Sequence, residues 1–155
     1  MKKLIISVLA AALMLLPLCA CSNTSHIEDT NGAADTSLCT LTDEELTSSH
    51  PRCFTQGALQ SHKNGNFTFQ AQKMSGVTSL HKFTAEADKT YKVESSAALE
   101  SGNLRIYILC DGEIIKDIPV GSDQTVTLSG ITGKCDIRIA GESARYHGEL
   151  NFTKA

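Results

Sequence analysis

The sequence predicts an all-β fold: an antiparallel β-sandwich of about eight short strands with a jelly-roll-like layout. Three observations carry that prediction. From Asn66 onward, short runs of alternating apolar and polar residues are divided by turn residues at regular spacing. The alternation has a period of two, because successive strand side chains point to opposite faces of a sheet. Asp111-Gly112, set between two such runs, is the strongest hairpin signal in the chain and suits a type I′ turn.

Each element follows from its residues. Asn64-Gly65 precedes a strand over 66–72, and Ser75-Gly76 precedes a second over 77–84. The run 89–95 alternates cleanly, with Tyr91, Val93 and Ser95 on one face. Its continuation over 95–100 reads as the fraying end of the strand, although Ala97, Ala98 and Leu99 would also suit a helical turn. Ser101-Gly102-Asn103 leads into 104–110, and Asp111-Gly112 joins that strand to 113–119. Gly121-Ser122-Asp123 and Gly130 bracket 124–129. Gly133-Lys134 opens 135–140, and Gly141-Glu142 turns into 144–153, where Tyr146, Leu150 and Phe152 share a face.

The N-terminal third is organised differently. Met1-Lys2-Lys3 is a positive region, 4–18 is apolar apart from Ser7 and Pro17, and Ala20 stands before Cys21. That is the layout of a secretory signal peptide. The apolar stretch is too short for a membrane span, which takes about 20 apolar residues. The division expected is therefore a signal over 1–20, a polar flexible tether over 21–38, a short helical and loop cap over 39–62, and the sandwich over 63–155. Thr42-Asp43-Glu44-Glu45 has the spacing of a capping box, and Pro51 follows the short helix it would start.

Leu18-Cys19-Ala20-Cys21 resembles the lipobox of bacterial lipoproteins. The resemblance implies a diacylglyceryl group on the Cys21 thiol, cleavage before Cys21, and attachment to membrane lipid on the extracytoplasmic side. Two or more acyl chains hold a protein far longer than the reversible binding that one chain gives. Ser22 after the cysteine permits sorting to an outer membrane in a two-membrane host, so cell membrane and outer membrane both stay open.

Loss of Lys2 and Lys3 with the signal takes the 14 basic residues to 12, against 17 acidic ones, so the net charge moves from -3 to -5. An acidic domain has no electrostatic footprint for nucleic acid. Four cysteines remain: Cys39, Cys53, Cys110 and Cys135. An oxidising compartment favours disulfides, and nearest-neighbour pairing is expected, Cys39–Cys53 and Cys110–Cys135. Parity supports the second pair. Cys110 shares a face with Leu104, Ile106 and Ile108, and Cys135 with Ile137 and Ile139.

The run Thr90-Tyr91-Lys92-Val93, then Ser101-Gly102-Asn103-Leu104-Arg105-Ile106-Tyr107, then Asp111-Gly112 and Tyr146, is similar to the bacterial pre-peptidase C-terminal domain. That family is a small extracellular β-sandwich without an active site of its own. Asn103 and Arg105 stand where acidic residues are usual there, and Gly133-Lys134-Cys135 replaces a glycine-tyrosine pair.

No catalytic residue is expected. Gly-x-Ser-x-Gly is absent, and the serines cluster in turns. No metal or cofactor site is expected either. His26, His50, His62, His81 and His147 form no ligand-spaced pair, and Asp117 and Asp123 lack the Asp-x-Asp-x-Asp-Gly run of a calcium loop. His81 is expected to be partly buried on the face of Val77 and Phe83, and His147 to point outward with Glu149 and Asn151. The function expected is a non-enzymatic lipoprotein that binds a partner or glycan through loops such as those around Gly121 and Gly141. Two alternatives are a carbohydrate-binding module and a small envelope enzyme. Parity turns Tyr91 and Tyr146 inward and leaves Tyr107 as the one exposed platform for a sugar.

Overall fold

In a computed structural model of the protein, residues 40–155 are described. The signal, Cys21, His26 and Cys39 lie outside them. The order of elements is α1 (Asp43–Thr47), β1 (Cys53–Gln56), β2 (Leu59–Lys63), β3 (Asn66–Ala85), β4 (Thr90–Cys110), β5 (Glu113–Ile118), β6 (Gly121–Ser129) and β7 (Gly133–Lys154). All pairings are antiparallel.

The fold is all-β as expected, but three pairs of short runs are fused, which turns the eight expected strands into five. The segment expected as part of a helical and loop cap adds two more, β1 and β2, for seven described strands. Ser75-Gly76, 101–103 and 141–142 do not end strands; they lie inside β3, β4 and β7. The run 95–100 likewise belongs to β4, with Ser95 and Ala97 buried. These places are bends. Pairing of β3 with β7 shifts register between Ala71 and Gly76, and pairing of β4 with β7 shifts between Leu99 and Asn103. Such irregularities bend a strand and let it pass from one layer to the next. Gly76 shows why the residue type matters: its φ is +107°, and a Cβ there would sit 2.2 Å from the Arg52 carbonyl oxygen.

Bent in this way, β3, β7 and β4 each serve both layers. The first layer runs β2, the N-terminal part of β3, the C-terminal part of β7, the N-terminal part of β4, then β6. The second runs β1, the C-terminal part of β3, the N-terminal part of β7, the C-terminal part of β4, then β5. Residues from both parts of each long strand meet in one core, among them Phe69, Val93, Ile106, Ile108, Ile137 and Leu150. Aromatic rings join the layers directly. Phe83 of the second lies 4.7 Å from Phe152 and 5.1 Å from Tyr91 of the first.

The parity argument for Cys110 and Cys135 holds. They are directly opposed in β4 and β7, their Cα atoms are 4.0 Å apart, and they form a disulfide against the common core. Cys53 carries a free, exposed thiol on β1, and Cys39 lies outside the described residues.

Candidate ligand-binding face

A sandwich has two outer faces, and here they differ. The segment around α1 covers the middle of the outer face of the second layer, beside an open hollow of ≈ 500 Å³ lined by Lys82, Asp136 and Arg138 among others. Thr42 and Glu45 form the expected capping box: the Glu45 carboxylate accepts from the Thr42 N–H at 2.8 Å, and Thr42 Oγ1 accepts from the Glu45 N–H at 3.3 Å. Leu46 and, partly buried, Leu41 then pack on Val77, Tyr107 and Ala140.

A polar network lies under this cap. The Tyr107 hydroxyl donates to the Leu46 carbonyl at 2.7 Å. Arg138 donates from Nη1 to the Leu46 and Ser48 carbonyls at 2.9 and 2.8 Å, and from Nε to Asp136 Oδ2 at 2.8 Å. Ser79 Oγ donates to the other Asp136 oxygen. A helix end leaves carbonyls without intrahelical partners, so Arg138 and Tyr107 supply the missing donors. The chain entering the cap is fixed at the bend of β7, where the Glu142 carboxylate accepts from the Thr40 N–H at 2.6 Å and from Asn103 Nδ2 at 3.0 Å.

This arrangement corrects the sequence expectation for Tyr107. Parity did turn it away from the main core, but the cap covers that face, and Tyr107 is 0% exposed. Burial pushes its hydroxyl up to about 12, and Arg105 stands over the ring at 5.3 Å. It cannot serve as a sugar platform. Tyr91 and Tyr146 turn inward as expected, at 1% and 3% exposed. Gly141 is buried inside β7 and belongs to no loop.

The outer face of the first layer is open. Two adjoining hollows of ≈ 630 and ≈ 560 Å³ lie across it and share Thr68, Ser96 and Glu149. One extends over Leu59, Ser61, Gln70 and His147 toward β2; the other extends over Asn66, Glu94, Asn151 and Thr125 toward β6. Together they make one groove transverse to five strands. Its polar side chains are hydroxyls, carboxamides, carboxylates and the His147 imidazole, and Leu59, 66% exposed, supplies an apolar end. Gly148 lies along the groove, and a Cβ there would stand 2.8 Å from the Phe69 ring and from the Ser96 carbonyl oxygen. Ser61 and Thr68 are hydrogen-bonded to each other across β2 and β3. His147 points outward as expected, and its Nδ1 lies 3.2 Å from Glu100, which also pairs with Arg145 at 2.7 Å.

His81 does not share a face with Val77. A register shift between Ser79 and His81 turns it toward Phe67, Phe83 and Phe152, with ring centroids at 4.8, 5.9 and 4.7 Å. His62 stacks on Phe67 at 4.3 Å. Burial, then the neighbouring His62, lowers the His81 pKa below the ordinary histidine value. Among the described residues, no group of three His, Cys, Asp or Glu side chains is placed to hold a metal ion. Asp117 is paired with Arg105 at 2.7 Å, and Asp111 accepts from the Lys134 N–H at 2.9 Å.

No protein-family model matches the chain, and no curated protein matches it. Among solved structures it is similar to TmCBM61, a carbohydrate-binding module, in complex with β-1,4-galactotriose, at 12% identity and a TM-score of 0.36. That match covers 72% of this chain and 92% of the other. Among the described residues, no helix is long and apolar enough to cross a membrane.

The sequence reading missed this groove because its residues are the ordinary outward positions of five separate strands. Only the pairing order brings Ser61, Gln70, Glu149, Ser96 and Thr125 side by side.

Proposed function

We propose that this chain is an exported, non-enzymatic binding domain, held at a membrane by lipid on Cys21, that takes an oligosaccharide across the outer face of its first layer. The observation that carries the reading is the polar groove transverse to β2, β3, β7, β4 and β6. Carboxamides both donate and accept hydrogen bonds, as do hydroxyls, so Asn66, Gln70 and Asn151 with Ser61, Thr68 and Ser96 match a ligand rich in hydroxyl groups. The groove crosses the face of the sheet and not its edge, so recognition falls to side chains and not to strand addition. Aromatic stacking contributes little, since all three tyrosines are buried, and Leu59 is the apolar contact for a sugar ring.

A glycan array probed with the domain and with a Gln70→Ala/Asn151→Ala variant tests this reading. The expected result is binding to a subset of oligosaccharides that the double variant loses at unchanged unfolding midpoint. Binding that survives the variant would remove the groove from the reading. The anchor is tested separately: Cys21→Ser should abolish labelling by palmitate, and label retained on that variant would refute lipid attachment there.

A further inference from the structure

The two hollows carry charge of one sign. Their lining includes Glu94, Asp123 and Glu149 and neither lysine nor arginine. Glu94 is paired with Lys92, whereas Asp123 and Glu149 have no ion-pair partner among the described residues. Register sets the spacing of two of these groups. Glu94 stands opposite Asn151, and Ser96 stands opposite Glu149, so Glu94 and Glu149 are diagonal neighbours on one face. Diagonal neighbours lie roughly 7 to 8 Å apart, within reach of long side chains, so one ligand can meet both carboxylates. The net charge of -5 expected after loss of residues 1–20 adds to the same field.

From this charge pattern, we infer that the groove selects an oligosaccharide bearing protonated amino groups over neutral and acidic ones. The inference rests on the oligosaccharide reading above and adds the substrate class. Ring hydroxyls meet the carboxamides and hydroxyls between Gln70 and Asn151, and ammonium groups pair with Glu149 and Asp123. A uronic or sulfated saccharide meets these carboxylates with no lysine or arginine in the lining to offset them, and is repelled.

Four probes decide it, measured by calorimetry in mildly acidic, low-salt buffer: a glucosamine oligomer, its N-acetylated form, a neutral hexose oligomer, and a lysine-rich peptide. The expected result is that the glucosamine oligomer binds at least tenfold tighter than its N-acetylated form and weakens as salt is added. An exposed ion pair is worth at most about fivefold in affinity, so losing two in Asp123→Asn/Glu149→Gln can remove up to about 25-fold and should bring the expected preference close to parity. Both positions are on the surface, where such changes leave stability nearly unchanged. An unchanged unfolding midpoint would verify that the double variant folds. Equal binding of the charged, acetylated and neutral oligomers overturns the charge selection and leaves the groove reading standing. Binding of the peptide alone, or of none of the four, overturns both.

Discussion

Replacing Arg138 by methionine should be the most damaging single change under the α1 cap. Arg138 is 4% exposed and Asp136 is 6% exposed, and the two form an ion pair whose other hydrogen bonds run to Ser79, Leu46 and Ser48. Arg138→Met leaves the Asp136 carboxylate buried with one hydroxyl partner and strips the Ser48 carbonyl of the donor that Arg138 supplies. Leu46 keeps the Tyr107 hydroxyl. Removing one member of a buried pair costs about 3 to 5 kcal/mol, since the other charge stays desolvated. With a urea slope near 2 kcal/mol per molar, the midpoint should fall by about 1.5 to 2.5 M. Tyr107→Phe removes one neutral hydrogen bond and should cost only about 1 kcal/mol. The double change Asp136→Leu/Arg138→Met removes both charges together and should be more stable than Arg138→Met alone. A loss under 1 kcal/mol for Arg138→Met, or a double variant no better than the single, would refute the account of the cap as held by a buried charge pair.

The remaining predictions concern the core. Cys110→Ala/Cys135→Ala opens a loop of sequence separation 25, which chain entropy values at about 3.5 kcal/mol; urea unfolding should show that loss, and one below about 1 kcal/mol would contradict it. Ser95 is 4% exposed, and its Oγ has no hydrogen-bond partner in the structure. Ser95→Ala should therefore be neutral or stabilising by up to about 1 kcal/mol, because no bond is lost and a desolvated hydroxyl is removed; a clear destabilisation would mean that the hydroxyl does have a partner. For His81 the folded pKa lies below the unfolded value, chiefly through burial. The unfolded chain therefore takes up the proton first. Stability should fall as pH drops below about 6.5 and level off once pH is under the folded pKa. Thermal melts across that range should show the slope flattened in His81→Phe, and an equal slope in that variant would assign the effect to another group.

Much of the fold was legible because period-two alternation acts locally. Tyr91, Val93, Ile106, Ile108, Ile137 and Ile139 are all buried in the core where their parity puts them, and Asp111-Gly112 does turn between β4 and β5, with φ of 49° and 89°. Strand count was misjudged for a physical reason. A glycine with positive φ reads as a turn in sequence, yet the same conformation serves a bulge when pairing continues past it, and only the partner strand decides. Gly76, with Arg52 packed over its missing Cβ, is such a case. The segment 53–63 lacks buried residues altogether. It therefore offered no alternation of burial to find, and β1 and β2 exist through their hydrogen bonds to β3. Tyr107, Asp136 and Arg138 alternate outward, as parity requires, and are buried by a helical turn that begins ninety-odd residues earlier than Arg138.

That long-range cover also explains why a sandwich should keep an ion pair at such a place. An apolar face under α1 would accept the cap in many positions, because apolar contact has no direction. Arg138 is satisfied only if the Leu46 and Ser48 carbonyls both arrive at its guanidinium, and Tyr107 adds a second requirement on Leu46. The pair thus exchanges some stability for one defined placement, a use of buried charge for which coiled-coil registry offers a precedent. The consequence reaches the other side of the molecule. With α1 held in one arrangement over the second layer, the first layer keeps the broader open face. Gln70, Asn151 and Glu149 are presented there by β3 and β7, whose other halves carry Val77 and Arg138 under the cap.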